Sequence, residues 1–176
     1  QFYQWKKFSN ENPYISAVSY RSIQRVIKTN DRACWLGTTR GLVKLDLVSG
    51  HFQFLGGGYN GDVTDMQYDP VAKKVFLSNE KDQLYCYDEQ SKRYFPLSIT
   101  REAYPSTRFD NSEENETWMA SRSGLLKIKS SRNDALLEAY IPQLSGAQLP
   151  GVVNRVYTDK KQIRWVGTDQ GFAIYG

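Results

Sequence analysis

Histidine is nearly missing from this 176-residue chain: His51 is the only one. A Ser–His–Asp triad would have to use it, and Ser49-Gly50-His51-Phe52 reads as a turn entering a strand, with no partner beside it in sequence. Cysteine is scarce too. Cys34 and Cys86 do not make a disulfide framework, and two Cys with one His cannot close a structural zinc site without carboxylates. Each cysteine lies in a strand-like run, Ala33-Cys34-Trp35 and Tyr85-Cys86-Tyr87, so buried free thiols are expected. No stretch approaches the roughly 20 apolar residues of a membrane helix, and no direct insertion into a membrane is expected. The start, Gln1-Phe2-Tyr3-Gln4-Trp5, lacks the charged-then-apolar build of a signal peptide. It also lacks Met, so an excised or processed piece is expected and the compartment is left open. Charge of one sign is not concentrated either. The 23 Lys+Arg exceed the 19 Asp+Glu by a mild +4 spread along the chain, which argues against nucleic acid as a partner.

What is abundant is aromatic side chain: 4 Trp, 12 Tyr and 8 Phe, which marks a packed core and not a disordered chain. Four of these rings head a repeat. Trp35-Leu36-Gly37-Thr38-Thr39-Arg40-Gly41-Leu42 is answered by Trp165-Val166-Gly167-Thr168-Asp169-Gln170-Gly171-Phe172 and by Trp118-Met119-Ala120-Ser121-Arg122-Ser123-Gly124-Leu125. A worn copy is Phe76-Leu77-Ser78-Asn79, one loop residue longer before Leu84. From Trp35 to Phe76 to Trp118 to Trp165 the spacings are 41, 42 and 47 residues. A period in the low forties containing only strand patterns is the signature of a β-propeller blade. Each unit reads as four short strands with polar or Gly turns between them. Only 133–143 is ambiguous, and it aligns with a fourth strand. The Trp is expected to fill the space between neighbouring blades. The small residue two positions on (Gly37, Ser78, Ala120, Gly167) lets the next blade approach, and the turn glycines take positive φ.

The fold class expected is therefore all-β, a β-propeller of about four blades with four antiparallel strands each. Residues 1–8 are assigned to the outer strand of a preceding or closing blade, 9–55 to blade 1, 56–98 to blade 2, 99–143 to blade 3 and 144–176 to blade 4, which lacks its fourth strand. Two arrangements stand. The first strand closes a four-bladed ring, or the chain is a segment of a larger ring of about seven blades; the second is preferred. Its open strand edges would then meet neighbouring blades or a second copy.

The run Val156 to Phe172, with its apolar strand, Asp turn, Trp-Val-Gly-Thr and closing Gly-Phe, resembles the two-component regulator propeller repeat, and Trp35 to Leu42 matches equally well. Trp118 to Leu125 has Ala120-Ser121 for Gly-Thr, and the Phe76 unit departs most. The resemblance implies the periplasmic sensor region of a hybrid two-component histidine kinase of the Bacteroidetes type, responding to polysaccharides and regulating transcription through a phosphorelay. The kinase chemistry would lie outside this chain. No Gly-rich nucleotide loop precedes a helix, and Gly56-Gly57-Gly58 reads as a plain connection.

A binding module is what is left, with no catalytic residue, metal or cofactor expected. In a propeller the connections between blades and the second-to-third strand turns gather on one face. Tyr20, Arg21, Arg40, Tyr59, Asn60, Lys81, Arg101, Tyr104, Arg122, Asp169 and Gln170 fall on such turns. Tyr rings stack on the C–H faces of sugars, while amides and charges bond hydroxyls, so an oligosaccharide is the expected ligand. A structural or protein-interaction propeller is the alternative.

Overall fold

The computed structural model describes residues 22–56, 58–81, 83–97, 105–110, 117–121, 124–130, 135–140 and 152–175. The expected strand at 1–8 lies outside them. Among the described residues, fifteen strands form four antiparallel sheets. Sheet 1 is β1 (Ile23–Lys28), β2 (Ala33–Thr38), β3 (Gly41–Asp46) and β4 (Phe52–Phe54). Sheet 2 is β5 (Asp65–Asp69), β6 (Lys74–Ser78), β7 (Leu84–Asp88) and β8 (Arg93–Pro96). Sheet 3 is β9 (Pro105–Phe109), β10 (Thr117–Ser121), β11 (Gly124–Ser130) and β12 (Ala135–Tyr140). Sheet 4 has β13 (Val153–Thr158), β14 (Arg164–Thr168) and β15 (Gly171–Tyr175). Strands follow chain order within every sheet, and the first strands β1, β5, β9 and β13 lie side by side in succession. This is propeller architecture. The ambiguous 133–143 stretch contains strand β12.

The turns explain the polar letters of the repeat. Asp46, Asp69, Asp88 and Asp159 each accept backbone N–H bonds from residues two to four positions on, as Asx turns. These donors hold the Asp46 and Asp159 carboxyls below the usual range. The Thr of Trp-x-Gly-Thr closes the next hairpin: Thr38 Oγ1 donates to Gly41 O (2.8 Å) and accepts from Arg40 N (3.1 Å). Thr168 repeats this with Gly171 O and Gln170 N. Gly41 (φ 91°) and Gly171 (φ 143°) take the positive φ that the tight turn demands.

Side chains two apart share a sheet face, so Trp35 and Gly37 both face sheet 2. Trp35 and Leu42 bury against Val63, Met66, Val75, Leu77 and Tyr87. Phe76 does the same against Phe109 and Met119 of sheet 3, and Trp118 against Val153, Val156 and Val166 of sheet 4. A Cβ on Gly37 would stand 2.8 Å from Val63 Cγ1 and 3.3 Å from Met66 Sδ, whereas one on Gly167 would meet only its own sheet at 4.0 Å. Gly37→Ala is therefore expected to destabilise by about 1–3 kcal/mol through overpacking. Gly167→Ala should cost less than about 0.5 kcal/mol. Paired urea titrations check the contrast.

Both cysteines are buried and free. Burial pushes the Cys86 thiol up to about 12 and raises Cys34 as well.

Charged groups also tie the sheets. Arg25 Nε meets Asp65 (2.8 Å), which also accepts from Phe109 N (2.9 Å), so one carboxylate joins sheets 1, 2 and 3. Asp110, just after β9, accepts from Thr158 N (3.2 Å) and Thr158 Oγ1 (2.5 Å) on sheet 4. Lys44 reaches Glu89 at 2.6 Å, and Tyr68 donates to the same carboxylate.

Candidate ligand-binding site

Between sheets 1 and 2 three turns converge. The β4–β5 connection is drawn against the β2–β3 turn by Val63 N donating to Thr38 O (2.8 Å), and against β6 by Thr64 N donating to Ser78 O (2.9 Å). Its Asp62 carboxylate accepts from Glu80 N (3.2 Å) in the β6–β7 turn. That turn is wound around Asn79, whose Oδ1 accepts from Lys81 N (3.0 Å) and Gln83 N (2.9 Å). The convergence leaves a recess of about 530 Å³, inside the range of small-molecule sites. Among the described residues its carboxylates are Asp62 and Glu80, its cation is Lys81, and Asn60, Asn79, Gln83 and Gln24 bring amides. Thr39, Tyr59 and Tyr85 add hydroxyls.

Two of the lining rings, Tyr59 and Tyr85, belong to a longer ladder of rings. Tyr59 packs on Tyr85 (centroids 4.5 Å) and Tyr94 (5.5 Å), Tyr94 on Tyr87 (4.8 Å), and Tyr87 on Trp35 (5.9 Å). The Tyr59 hydroxyl donates to Asp62 O (2.6 Å) and that of Tyr94 to Leu55 O (3.0 Å). The side chains lining the recess thus stand on a packed, hydrogen-bonded base, which limits the ordering a ligand must impose. Burial pushes the Tyr59 phenol up to about 12, and Tyr68, Tyr87 and Tyr94 are raised by the same cause. A phenol raised in the folded state contributes stability that is full below about pH 10 and lost as pH climbs above it. Alkaline titration should therefore show the tyrosinate absorbance of these four phenols, out of 12 tyrosines, appearing together with loss of the β-sheet circular dichroism signal. Full tyrosinate absorbance well before unfolding would contradict the burial.

The recess gathers three of the residues singled out in the sequence: Tyr59, Asn60 and Lys81. Tyr59 is mostly buried, and its hydroxyl is already engaged as a donor. Arg40 is exposed on the β2–β3 turn next to Thr39 and does not line the recess. Asp169 and Gln170 belong to the β14–β15 turn of sheet 4. There Asp169 Oδ1 accepts from Val152 N (2.8 Å) and Gln170 N donates to Thr168 Oγ1 (3.2 Å). Tyr20, Arg21, Arg101, Tyr104 and Arg122 lie outside the described residues. Sequence reasoning missed Asp62, Asn79, Glu80 and Gln83. The available signal was the extra length of the β6–β7 turn and the acid two residues beyond Asn60.

No protein-family model and no curated protein matches this sequence. Solved structures match in shape, and the class they share with this chain is the β-propeller. The Cps50 β-propeller domain of Myceliophteria thermophila superposes with a TM-score of 0.57 at 13% identity, over 86% of this chain and 54% of that one. A gluconolactonase of Xanthomonas campestris gives 0.58 at 11%, over 85% and 55%. The extracellular domain assigned to a hybrid two-component system of Bacteroides thetaiotaomicron gives 0.60 at 18%, over 87% of this chain and 21% of that one. This chain thus spans about a fifth of the length of that ectodomain. An enzyme and an extracellular domain of a two-component system on one scaffold show that the likeness establishes fold, and that function must be argued from the site.

Proposed function

We propose that this chain is part of the extracytoplasmic sensor propeller of a hybrid two-component system, facing the periplasm, and that its recess receives an oligosaccharide. Binding would be passed to phosphorelay domains outside this chain that regulate transcription. The observation that carries the ligand reading is the recess itself. Carboxylates, amides and one ammonium converge on a ring-supported base, the mixed donors and acceptors that a polyhydroxylated ligand uses. The resemblance of the repeats and the fold shared with a sensor ectodomain support the sensor reading. The role is binding, and no catalytic step is assigned to these residues.

Calorimetry of the chain against a panel of plant and host oligosaccharides tests it. A binding glycan is expected, with Asp62→Ala and Lys81→Ala each weakening it about tenfold or more, a loss of about 1.4 kcal/mol. Arg40→Ala should leave it unchanged. Absence of heat with every glycan would overturn the ligand reading.

A further inference from the structure

We propose that the end of the sheets opposite the recess docks on the surface of a bilayer rich in anionic phospholipid, with the cations of its turns at the headgroup phosphates and two turn-tip valines in the interfacial layer. The inference is independent of the oligosaccharide reading. In each antiparallel sheet the first-to-second and third-to-fourth strand turns share one end, and the recess turns lie at the other. The Lys44–Glu89 pair sets these ends side by side in sheets 1 and 2. Among the described residues, 28–33, 46–51, 69–74, 88–93 and 158–164 make up the end away from the recess. They hold nine Lys and Arg against six Asp and Glu. The recess end holds Arg40 and Lys81 against Asp62, Glu80 and Asp169 among the described residues. Charge that is spread along the sequence is thus gathered by the topology.

The acids at this end are engaged. Asp46, Asp69, Asp88 and Asp159 accept backbone N–H bonds inside their turns, Asp31 pairs with Lys28 (2.6 Å) and Glu89 with Lys44. Arg32, Lys73, Lys92, Arg93, Lys160 and Lys161 are exposed, and none forms an ion pair among the described residues. Two of these lysines sit where glycine is favoured. Gly50, Lys73 and Lys92 each stand four residues after a turn aspartate, at φ 73°, 54° and 56°. Lys92 N donates to Asp88 O as Gly50 N donates to Asp46 O, both at 2.9 Å. This left-handed backbone suits Gly50 and strains a residue with a Cβ. Such strain gathers where a side chain is used.

Val48 and Val71 select the partner. Each stands two residues after its turn aspartate with its N–H bonded to that carboxylate, and they are 69% and 61% exposed. A soluble polyanion would meet the cations and leave these apolar tips in water. At a bilayer surface the headgroup charge attracts the cations while the tips leave water, so both groups are used.

Flotation of the chain with vesicles of phosphatidylglycerol and phosphatidylcholine in equal parts, beside vesicles of phosphatidylcholine alone, tests this. Binding is expected to the anionic vesicles only, falling steeply as salt rises. Lys73→Gly and Lys92→Gly should each weaken it about fivefold, the worth of one cation at an anionic surface. Neither should lower the thermal midpoint, because glycine suits both backbones. Val48→Ser combined with Val71→Ser should weaken binding severalfold with every charge retained. Arg40→Ala, at the opposite end, should leave it unchanged. Absence of binding to the anionic vesicles at low salt would overturn the proposal, and so would equal binding to the neutral ones. Anionic binding that the paired valine changes leave intact would also overturn it, since that outcome gives the face to a soluble polyanion.

Discussion

Trp35→Ala lowers the unfolding free energy by about 3–5 kcal/mol, the cost of emptying a large aromatic site in a core, while Trp165→Ala costs less than about 1 kcal/mol. The two residues stand at the same position of the same motif and differ in what lies opposite. Trp35 is enclosed by Leu42, Val63, Met66, Val75, Leu77 and Tyr87, and it carries the ladder of rings that leads to the recess. Its removal also strips Lys44 of a ring 5.0 Å beneath its ammonium. Among the described residues, Trp165 has Phe172 stacked on it and its indole N–H donating to Asp159 (3.2 Å), one in its own sheet and the other in the turn that precedes its strand. Since whole domains are stable by about 5–15 kcal/mol, the first variant should approach the unfolding threshold. Chemical denaturation of both checks the contrast, and equal losses would refute the inter-sheet role of the repeat tryptophan.

Asp65→Ala is the second large effect, about 3–5 kcal/mol. The carboxylate is almost wholly buried, and it is held by Arg25 Nε, Phe109 N and its neighbour Met66 N. Removing it leaves a partly buried guanidinium without its carboxylate and a backbone donor of sheet 3 without its acceptor. The pair need not be net stabilising, because desolvating two charges offsets much of their attraction. Arg25→Met with Asp65→Leu should therefore recover a good part of the loss. A double-mutant cycle by thermal or urea unfolding measures this. If Asp65→Ala costs under about 1 kcal/mol, the carboxylate is not the tie between three sheets described above.

The architecture was legible because the repeat is written in residues whose roles are steric. Trp35 and Trp118 need a large cavity, Gly37 needs a close neighbour and Gly41 needs positive φ. These demands admit few substitutes, so they survive in the sequence. The unit at Phe76 was harder to see because it meets the same demands with other letters. Phe76 stands in the tryptophan's place against sheet 3, Ser78 in the glycine's, and Asn79 winds the turn that Thr38 winds in sheet 1. The recess was read only in part. Tyr59, Asn60 and Lys81 could be placed on converging turns, but Asp62, Asn79 and Glu80 look like ordinary turn residues until the β6–β7 turn is seen folding over the β4–β5 connection. Arg25–Asp65 and Asp110–Thr158 were not anticipated: the partners lie 40 and 48 residues apart, about one repeat, but which letters face each other across a seam shows only once the sheets are placed side by side.

Large ring with small gap, answered by two apolar side chains on the following unit, works as a standard coupling. Phe76 with Ser78 performs it as well as Trp35 with Gly37, so the fitting tolerates drift in the parts while preserving the joint. A gene encoding such units can gain or lose one by duplication or deletion without redesigning any seam. Evolution can then adjust the circumference of the ring independently of the chemistry displayed on its turns.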